Sequence, residues 1–149
     1  MITKDMEQKL IAFAKEAQEK AYVPYSKFAV GAAILTDAGD FFTGCNVENI
    51  SYGLANCGER TAVFRMIAEK GPQAKIKAIA VTTKADIPCP PCGACRQVIQ
   101  EFSTPETLII YKGPKGYTTV SMDQLLPGAF TEFVALDHTG SSTRIQKGM

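Results

Sequence analysis

The chain is short of net charge. Its 16 Lys and Arg are set against 15 Asp and Glu, giving +1 over 149 residues. A protein that grips a phosphate backbone needs a basic patch, so this balance excludes nucleic acid as the default partner and favours small neutral ligands. Met1-Ile2-Thr3-Lys4-Asp5 lacks the apolar stretch of a secretory signal, so no leader is expected. No apolar run approaches the roughly 18 residues that span a bilayer. Cysteines number 5, an odd count that does not suit a disulfide framework. Reduced thiols and a cytoplasmic location are the expectation. The single histidine, His138, lies beside a polar stretch and is assigned no role.

What is present suits one globular domain. The composition is 46% hydrophobic, and 149 residues can build a core without staples. Thr3 caps a first helix, in which Met6, Leu10, Phe13, Ala14 and Ala17 form an apolar stripe. Pro24 stops it, and Val23 to Lys27 is a loop. Phe28 to Thr36 is a buried strand, Asp37 to Asp40 a turn, and Phe41 to Asn46 the antiparallel partner. Asn46-Val47-Glu48-Asn49 is either a ligand-facing loop or a solvated turn. A helix from Cys57 to Glu69 buries Ala62, Val63, Met66 and Ile67 and ends at Gly71-Pro72. Ile76 to Thr83 is a strand, 84 to 91 a loop, and Cys92 to Phe102 a helix. Leu108 to Tyr111 and Tyr117 to Val120 are strands. Only Lys112 to Gly116 separates them, so they pair antiparallel, since parallel neighbours need a crossover of about a dozen residues. Ser121 caps a short helix over Met122 to Leu126. The expected class is α/β, one sheet with helices packed on it. Residues 1–136 form the domain, and 137–149 a mobile polar tail.

The chemistry concentrates in Cys57-Gly58-Glu59-Arg60 and Pro91-Cys92-Gly93-Ala94-Cys95. Cys92 and Cys95 are three apart, so their sulfurs face one way on a first helical turn, while Cys57 opens another helix. Two helix N-termini, each partly positive, therefore converge. Cys57, Cys92 and Cys95 are read as zinc ligands. Three protein ligands leave a tetrahedral ion one open position, as in catalytic sites. Three thiolates leave a surplus negative charge on such a site, which the helix ends and Arg60 reduce. Glu59 is read as the group that moves protons beside the metal. Cys89-x-x-Cys92-x-x-Cys95 also has the spacing of an iron–sulfur run, and with Cys57 it would close a four-cysteine site. Pro90 and Pro91 keep Cys89 out of the helical turn, so it is read as a bystander, and Cys45 as a strand cysteine.

Cys-x-Glu followed by Pro-Cys-x-x-Cys is a zinc deaminase signature. With Val23-Pro24-Tyr25-Ser26-Lys27-Phe28, Cys45-Asn46-Val47-Glu48-Asn49, Arg60-Thr61-Ala62, Arg96-Gln97 and Leu125-Leu126-Pro127-Gly128-Ala129-Phe130, the chain resembles the small homotetrameric cytidine deaminases. That resemblance implies a three-layer domain with a mixed five-stranded sheet, helices on both faces and the last two strands antiparallel. It implies one zinc ion per subunit and salvage hydrolysis of cytidine and 2'-deoxycytidine. The attack at C4 would come from zinc-bound hydroxide, with Glu59 shuttling protons to N3 and the leaving ammonia. The Gly58 amide would hold the base carbonyl, the Pro90 carbonyl the leaving amine, and Phe28 the ring. Asn46 and Glu48 would hold the ribose hydroxyls. Ile50, Tyr52 and Phe130 would reach a neighbouring subunit's pocket. Three positions depart from the family pattern: Gly58 replaces the usual Ala, Pro90 an often-found Ser, and Cys89 is extra. A polynucleotide deaminase and a structural-zinc or iron–sulfur module are the competing readings. The short Lys112 to Gly116 turn opposes the first, and Glu59 opposes the second.

Overall fold

The computed structural model describes residues 2–147. Helix α1 (Lys4–Gln18) leads into strands β1 (Val30–Thr36) and β2 (Phe41–Cys45), followed by a single 3-10 turn at Tyr52–Leu54. Helix α2 (Gly58–Lys70), strand β3 (Ile76–Thr83) and helix α3 (Gly93–Glu101) come next. Strands β4 (Ser103–Gly113) and β5 (Gly116–Ser121), helix α4 (Met122–Leu125) and strands β6 (Glu132–Leu136) and β7 (Ser142–Gln146) complete the chain.

One mixed sheet of five strands runs in the order β2-β1-β3-β4-β5. Only β3 and β4 are parallel, joined by α3 as the crossover, and every other pair is antiparallel. The central strands β1 and β3 are buried along nearly their whole length because both faces of the sheet are covered. Ala32, Ile34, Ile79 and Val81 face α2, α3 and α4, with Val63, Met66, Ile99, Met122 and Leu125. Ala33, Leu35, Ala78, Ala80 and Ile110 face the other way, against Leu10 and Ala14 of α1. The result is three layers, α1 below the sheet and the remaining helices above it.

Two glycines let the layers close. A Cβ at Gly31 would enter the backbone of α1 at Ala14 and Gln18, and one at Gly44 would strike the α2 backbone, 2.7 Å from the Gly58 carbonyl. The second contact fixes how close the N-terminus of α2 sits to β2.

The expected elements are present, with shifted edges. The Thr3 hydroxyl accepts from the Met6 amide at 3.2 Å, capping α1 as expected. β1 begins at Val30 rather than Phe28, because the Phe28 backbone is engaged by a side chain described below. β2 ends at Cys45, one residue short of Asn46. β4 starts at Ser103, since Ile76 pairs with Ser103 before the register shifts to Ala78 and Leu108. The stretch expected as a mobile tail is corrected most. Leu136 pairs with Ser142 and Glu132 with Gln146, so residues 132–146 form a two-stranded hairpin. Its loop is tied by Asp137, whose carboxylate accepts from the Thr139 and Ser141 amides at 2.8 and 2.9 Å. Its base is tied to the end of α3 and the start of β4, where the Lys147 amine donates to the Gln100 and Ser103 carbonyls at 2.6 and 2.7 Å. Gly148 and Met149 lie outside the described residues. Among the described residues, no helix is long and apolar enough to cross a membrane.

Candidate active site

Two helix starts deliver the thiols. Cys57 is the N-cap of α2, and Cys92 the N-cap of α3, each with extended backbone and neither spending its side chain on the cap. Both stand one position earlier than the first helical turn expected for them, which leaves their sulfurs free to point past the helix ends. Cys95 sits in the first turn of α3 and is buried, while Cys92 is exposed. The three sulfurs lie within 4.8 Å of one another, and Cys57 and Cys92 are 4.0 Å apart. A tetrahedral zinc with bonds of about 2.3 Å needs sulfurs about 3.8 Å apart, so a small contraction grips the ion. Cys89 is not in this cluster. Its amide donates to the Lys112 carbonyl at 2.8 Å, which ties the 84–91 loop to the end of β4.

The charges agree with a metal. Arg60 lies one turn into α2, and its Nη2 donates to Cys57 Sγ at 3.4 Å. Its Nε is buried with no partner, so the guanidinium has unspent donor capacity beside the thiols. Bonds from the Cys95 thiol and then Arg60 overcome burial and bring Cys57 down to about 5. Cys95 is pushed upward, first because its proton serves Cys57. Cys57 is thus held toward the thiolate form that a metal binds, and metal binding would displace the proton that Cys95 shares with it. Burial lifts the Cys89 thiol to about 11, the opposite of what a ligand needs.

Glu59 follows Cys57 by two residues on α2 and is 4% exposed. Burial, helped by the negative Cys57, raises its carboxyl to about 7. A carboxyl poised there can both hold and release a proton near neutrality.

The surrounding polar groups fix the loops that carry these residues. The Thr61 hydroxyl donates to the Cys57 carbonyl at 3.1 Å and accepts from Asn56 Nδ2 at 3.2 Å. Arg96, which the sequence offered only as part of the stretch after the Cys-x-x-Cys and without a role, holds the second loop. Its Nε donates to the Pro91 carbonyl at 2.8 Å and its Nη1 to the Leu125 carbonyl at 3.0 Å. Its position directly after the Cys-x-x-Cys was the only available signal.

The other expected site residues divide into two groups. Phe28 packs on the same apolar cluster as Cys57 and Cys95. Gly58 is buried beside Asn46, and a Cβ there would come within 3.2 Å of the Val30 carbonyl and 3.4 Å of the Asn46 amide. Asn46 Nδ2 donates to the Phe28 carbonyl and its Oδ1 accepts from the Val30 amide, both at 2.8 Å. Glu48 accepts from the Tyr25 and Ser26 amides. Pro90 is exposed at the end of the loop before Cys92. Ile50, Tyr52 and Phe130 are 85%, 62% and 66% exposed. Tyr52 meets Tyr25 edge-on, and the Phe130 carbonyl accepts from Gln97 of α3 at 2.9 Å. A cleft of about 500 Å³ lies at the other end of β1, between Thr36 and Lys75. It is crossed by a Lys70–Asp40 ion pair at 2.9 Å and holds none of this chemistry.

Three thiols able to hold one zinc ion, with a buried carboxyl two residues after the first of them, fit the class of zinc-dependent hydrolases. The family described as "Cytidine and deoxycytidylate deaminase zinc-binding region" matches residues 4–111. A cytidine deaminase of Sporosarcina psychrophila is 51% identical over 128 residues, covering 84% of this chain and 91% of that one. One from Halalkalibacterium halodurans is 47% identical over 125 residues, covering 83% and 93%. The crystal structure of cytidine deaminase from Burkholderia pseudomallei superposes with a TM-score of 0.77 at 46% identity, over 87% of this chain and 100% of that one. The chain belongs to the zinc-dependent cytidine and deoxycytidylate deaminase family.

Proposed function

We propose that the protein converts cytidine and 2'-deoxycytidine, with one water, to uridine and 2'-deoxyuridine plus ammonia, as a step of pyrimidine salvage. The observation that carries this reading is the pairing of Glu59, buried and near neutrality, with the Cys57, Cys92 and Cys95 thiols. When bound by those thiols, zinc supplies an open coordination position that makes water a nucleophile near neutral pH.

The chain's own residues would do the rest. Glu59 takes a proton from the attacking water and gives it to ring N3, then takes the remaining proton from the new C4 hydroxyl and delivers it to the departing amine as the C–N bond breaks. Arg60 and the two helix N-termini reduce the surplus charge of three thiolates. The Gly58 amide, at the first position of α2, donates to the base carbonyl. The exposed Pro90 carbonyl accepts from the amine, and Phe28 packs on the ring. The Glu48 carboxylate accepts from the ribose hydroxyls, and Asn46 donates to or accepts from them, with the capacity their backbone contacts leave unused.

The exposure of Ile50, Tyr52 and Phe130 supports a homotetramer in which each reaches a neighbouring copy's pocket. Free nucleosides suit the site better than a polynucleotide, given a net charge of +1 and the tight turn between β4 and β5. A reducing cytoplasm suits thiols that must stay free to bind metal. The catalytic machinery is taken to lie within residues 1–136, with β7 pairing back onto the β6 edge of that segment.

Loss of cytidine absorbance, followed with and without a zinc chelator, tests the proposal. Zinc-dependent conversion to uridine with release of ammonia is expected. A zinc-loaded, folded protein that leaves cytidine unchanged refutes it.

A further inference from the structure

We infer that Glu48 positions the aromatic wall of the base pocket, through the backbone of residues 24–30, apart from any contact it makes with a sugar. The inference rests on the nucleoside chemistry proposed above. Glu48 Oε2 accepts from the Tyr25 amide at 2.9 Å and the Ser26 amide at 3.2 Å, and Oε1 from the Ser26 amide at 3.3 Å. Its own amide donates to the Tyr22 carbonyl at 2.8 Å, so Glu48 holds both ends of this turn.

The turn leads directly to Phe28, whose backbone is pinned on both sides. Its amide donates to Ser26 Oγ at 3.0 Å, and its carbonyl accepts from Asn46 Nδ2 at 2.8 Å. Between these anchors lies Lys27, with φ +57°, the one non-glycine residue in the left-handed region among the described residues. That conformation is costly for a residue with a Cβ and persists only where the surroundings over-determine it. Once Glu48 is removed, the turn loses its charged acceptor and Lys27 can relax to the right-handed side. Phe28 would then leave its place on the cluster it shares with Cys57 and Cys95. Because a carboxylate offers about four acceptor sites, three of them in use here, a sugar hydroxyl can still be held, and the two duties are compatible.

The two duties separate with a ligand that has the base but no sugar. 1-Methylcytosine is used as a competitive inhibitor of cytidine deamination by the zinc-loaded protein. In Glu48→Ala its inhibition constant should rise about tenfold, the loss of one charge-assisted bond's worth of ordering. Glu48→Gln keeps an oxygen that can accept from both amides, and should restore most of that affinity. An inhibition constant unmoved in Glu48→Ala, with only the KM for cytidine raised, overturns the inference and leaves Glu48 a sugar ligand alone. Should Glu48→Ala not fold with its zinc, Ser26→Ala removes only the acceptor of the Phe28 amide. Weaker 1-methylcytosine inhibition there supports the pinned wall, and unchanged inhibition overturns it. Wild-type protein that turns over no cytidine refutes the nucleoside reading and this inference with it. Wild-type turnover with unmoved inhibition refutes this inference alone.

Discussion

Replacing Arg60 with Gln keeps a donor near Cys57 Sγ and removes the charge. At the observed 3.4 Å, two unit charges attract by about 5 kcal/mol at an effective dielectric of about 20. The exposed side of the cluster and the cost of desolvating the guanidinium reduce this to the worth of a charged hydrogen bond, about 1.5–3 kcal/mol. Metal binding by structural thiolate sites amounts to about 10–16 kcal/mol, so the variant should remain loaded at ordinary zinc concentrations. Forming the nucleophile is more sensitive, because the site would carry an uncompensated negative charge. A change of that size moves an ionisation upward by roughly 1–2 pH units, since one unit is about 1.4 kcal/mol. At neutral pH, kcat/KM should therefore fall about 10- to 100-fold, with the rising limb of the pH–rate profile displaced to the alkaline side. Zinc per protomer is measured by plasma mass spectrometry on the same samples as the kinetics. Activity lost in step with zinc, or a profile left in place, refutes the assignment of Arg60 as the charge that offsets the thiolates.

Cys89→Ala should keep its full complement of zinc and most of its activity, because Cys89 lies outside the sulfur cluster; metal lost with that substitution would show a four-cysteine site. Gly44→Ala drives a Cβ into the α2 backbone, which cannot swing aside as a side chain can, so a loss of about 3 kcal/mol in denaturant unfolding is expected together with weaker zinc binding. Desolvation opposes it, but bonds from Ser26 and the Tyr25 amide hold the Glu48 carboxyl below its usual range. A depressed carboxylate contributes stability above its unfolded value of about 4.3 and loses it as pH falls through the lower folded value. Hydrogen-exchange protection of the Tyr25 and Ser26 amides should therefore disappear on the acid side of that value, and Glu48→Gln should remove the pH dependence; protection that persists in acid in the wild type contradicts this.

The layers of the fold were legible because burial writes itself into apolar spacing. α1 showed a helical stripe, and β1 read as an apolar run because both faces of the sheet are covered there. The antiparallel pairing of β4 and β5 followed from the length of one turn. The hairpin over residues 132–146 was not legible. Phe133, Val134 and Leu136 hint at a strand, but they remain exposed, and Asp137 to Ser141 reads as any polar loop. What ties the hairpin down is distant in sequence, the Lys147 amine on the Gln100 and Ser103 carbonyls between α3 and β4. The thiols were legible by spacing, and Glu59 by its place beside one of them. Arg96, which reaches Leu125 across 29 positions, was invisible to local pattern. So was the hold of Asn46 and Glu48 on the backbone, since polar side chains that hold backbone look the same in sequence as those that wait for a ligand.

The central claim is that Glu59 moves protons at a site whose metal is gripped by the three thiols and not by Glu59 itself. The direct test is Glu59→Gln, assayed for zinc per protomer and for single-turnover conversion of cytidine on one preparation. The account predicts zinc equal to wild type, retained binding of cytidine, and conversion reduced by about 10²- to 10⁴-fold, the usual worth of a positioned acid–base group. Conversion near the wild-type rate with zinc in place, or loss of zinc together with activity, would contradict it.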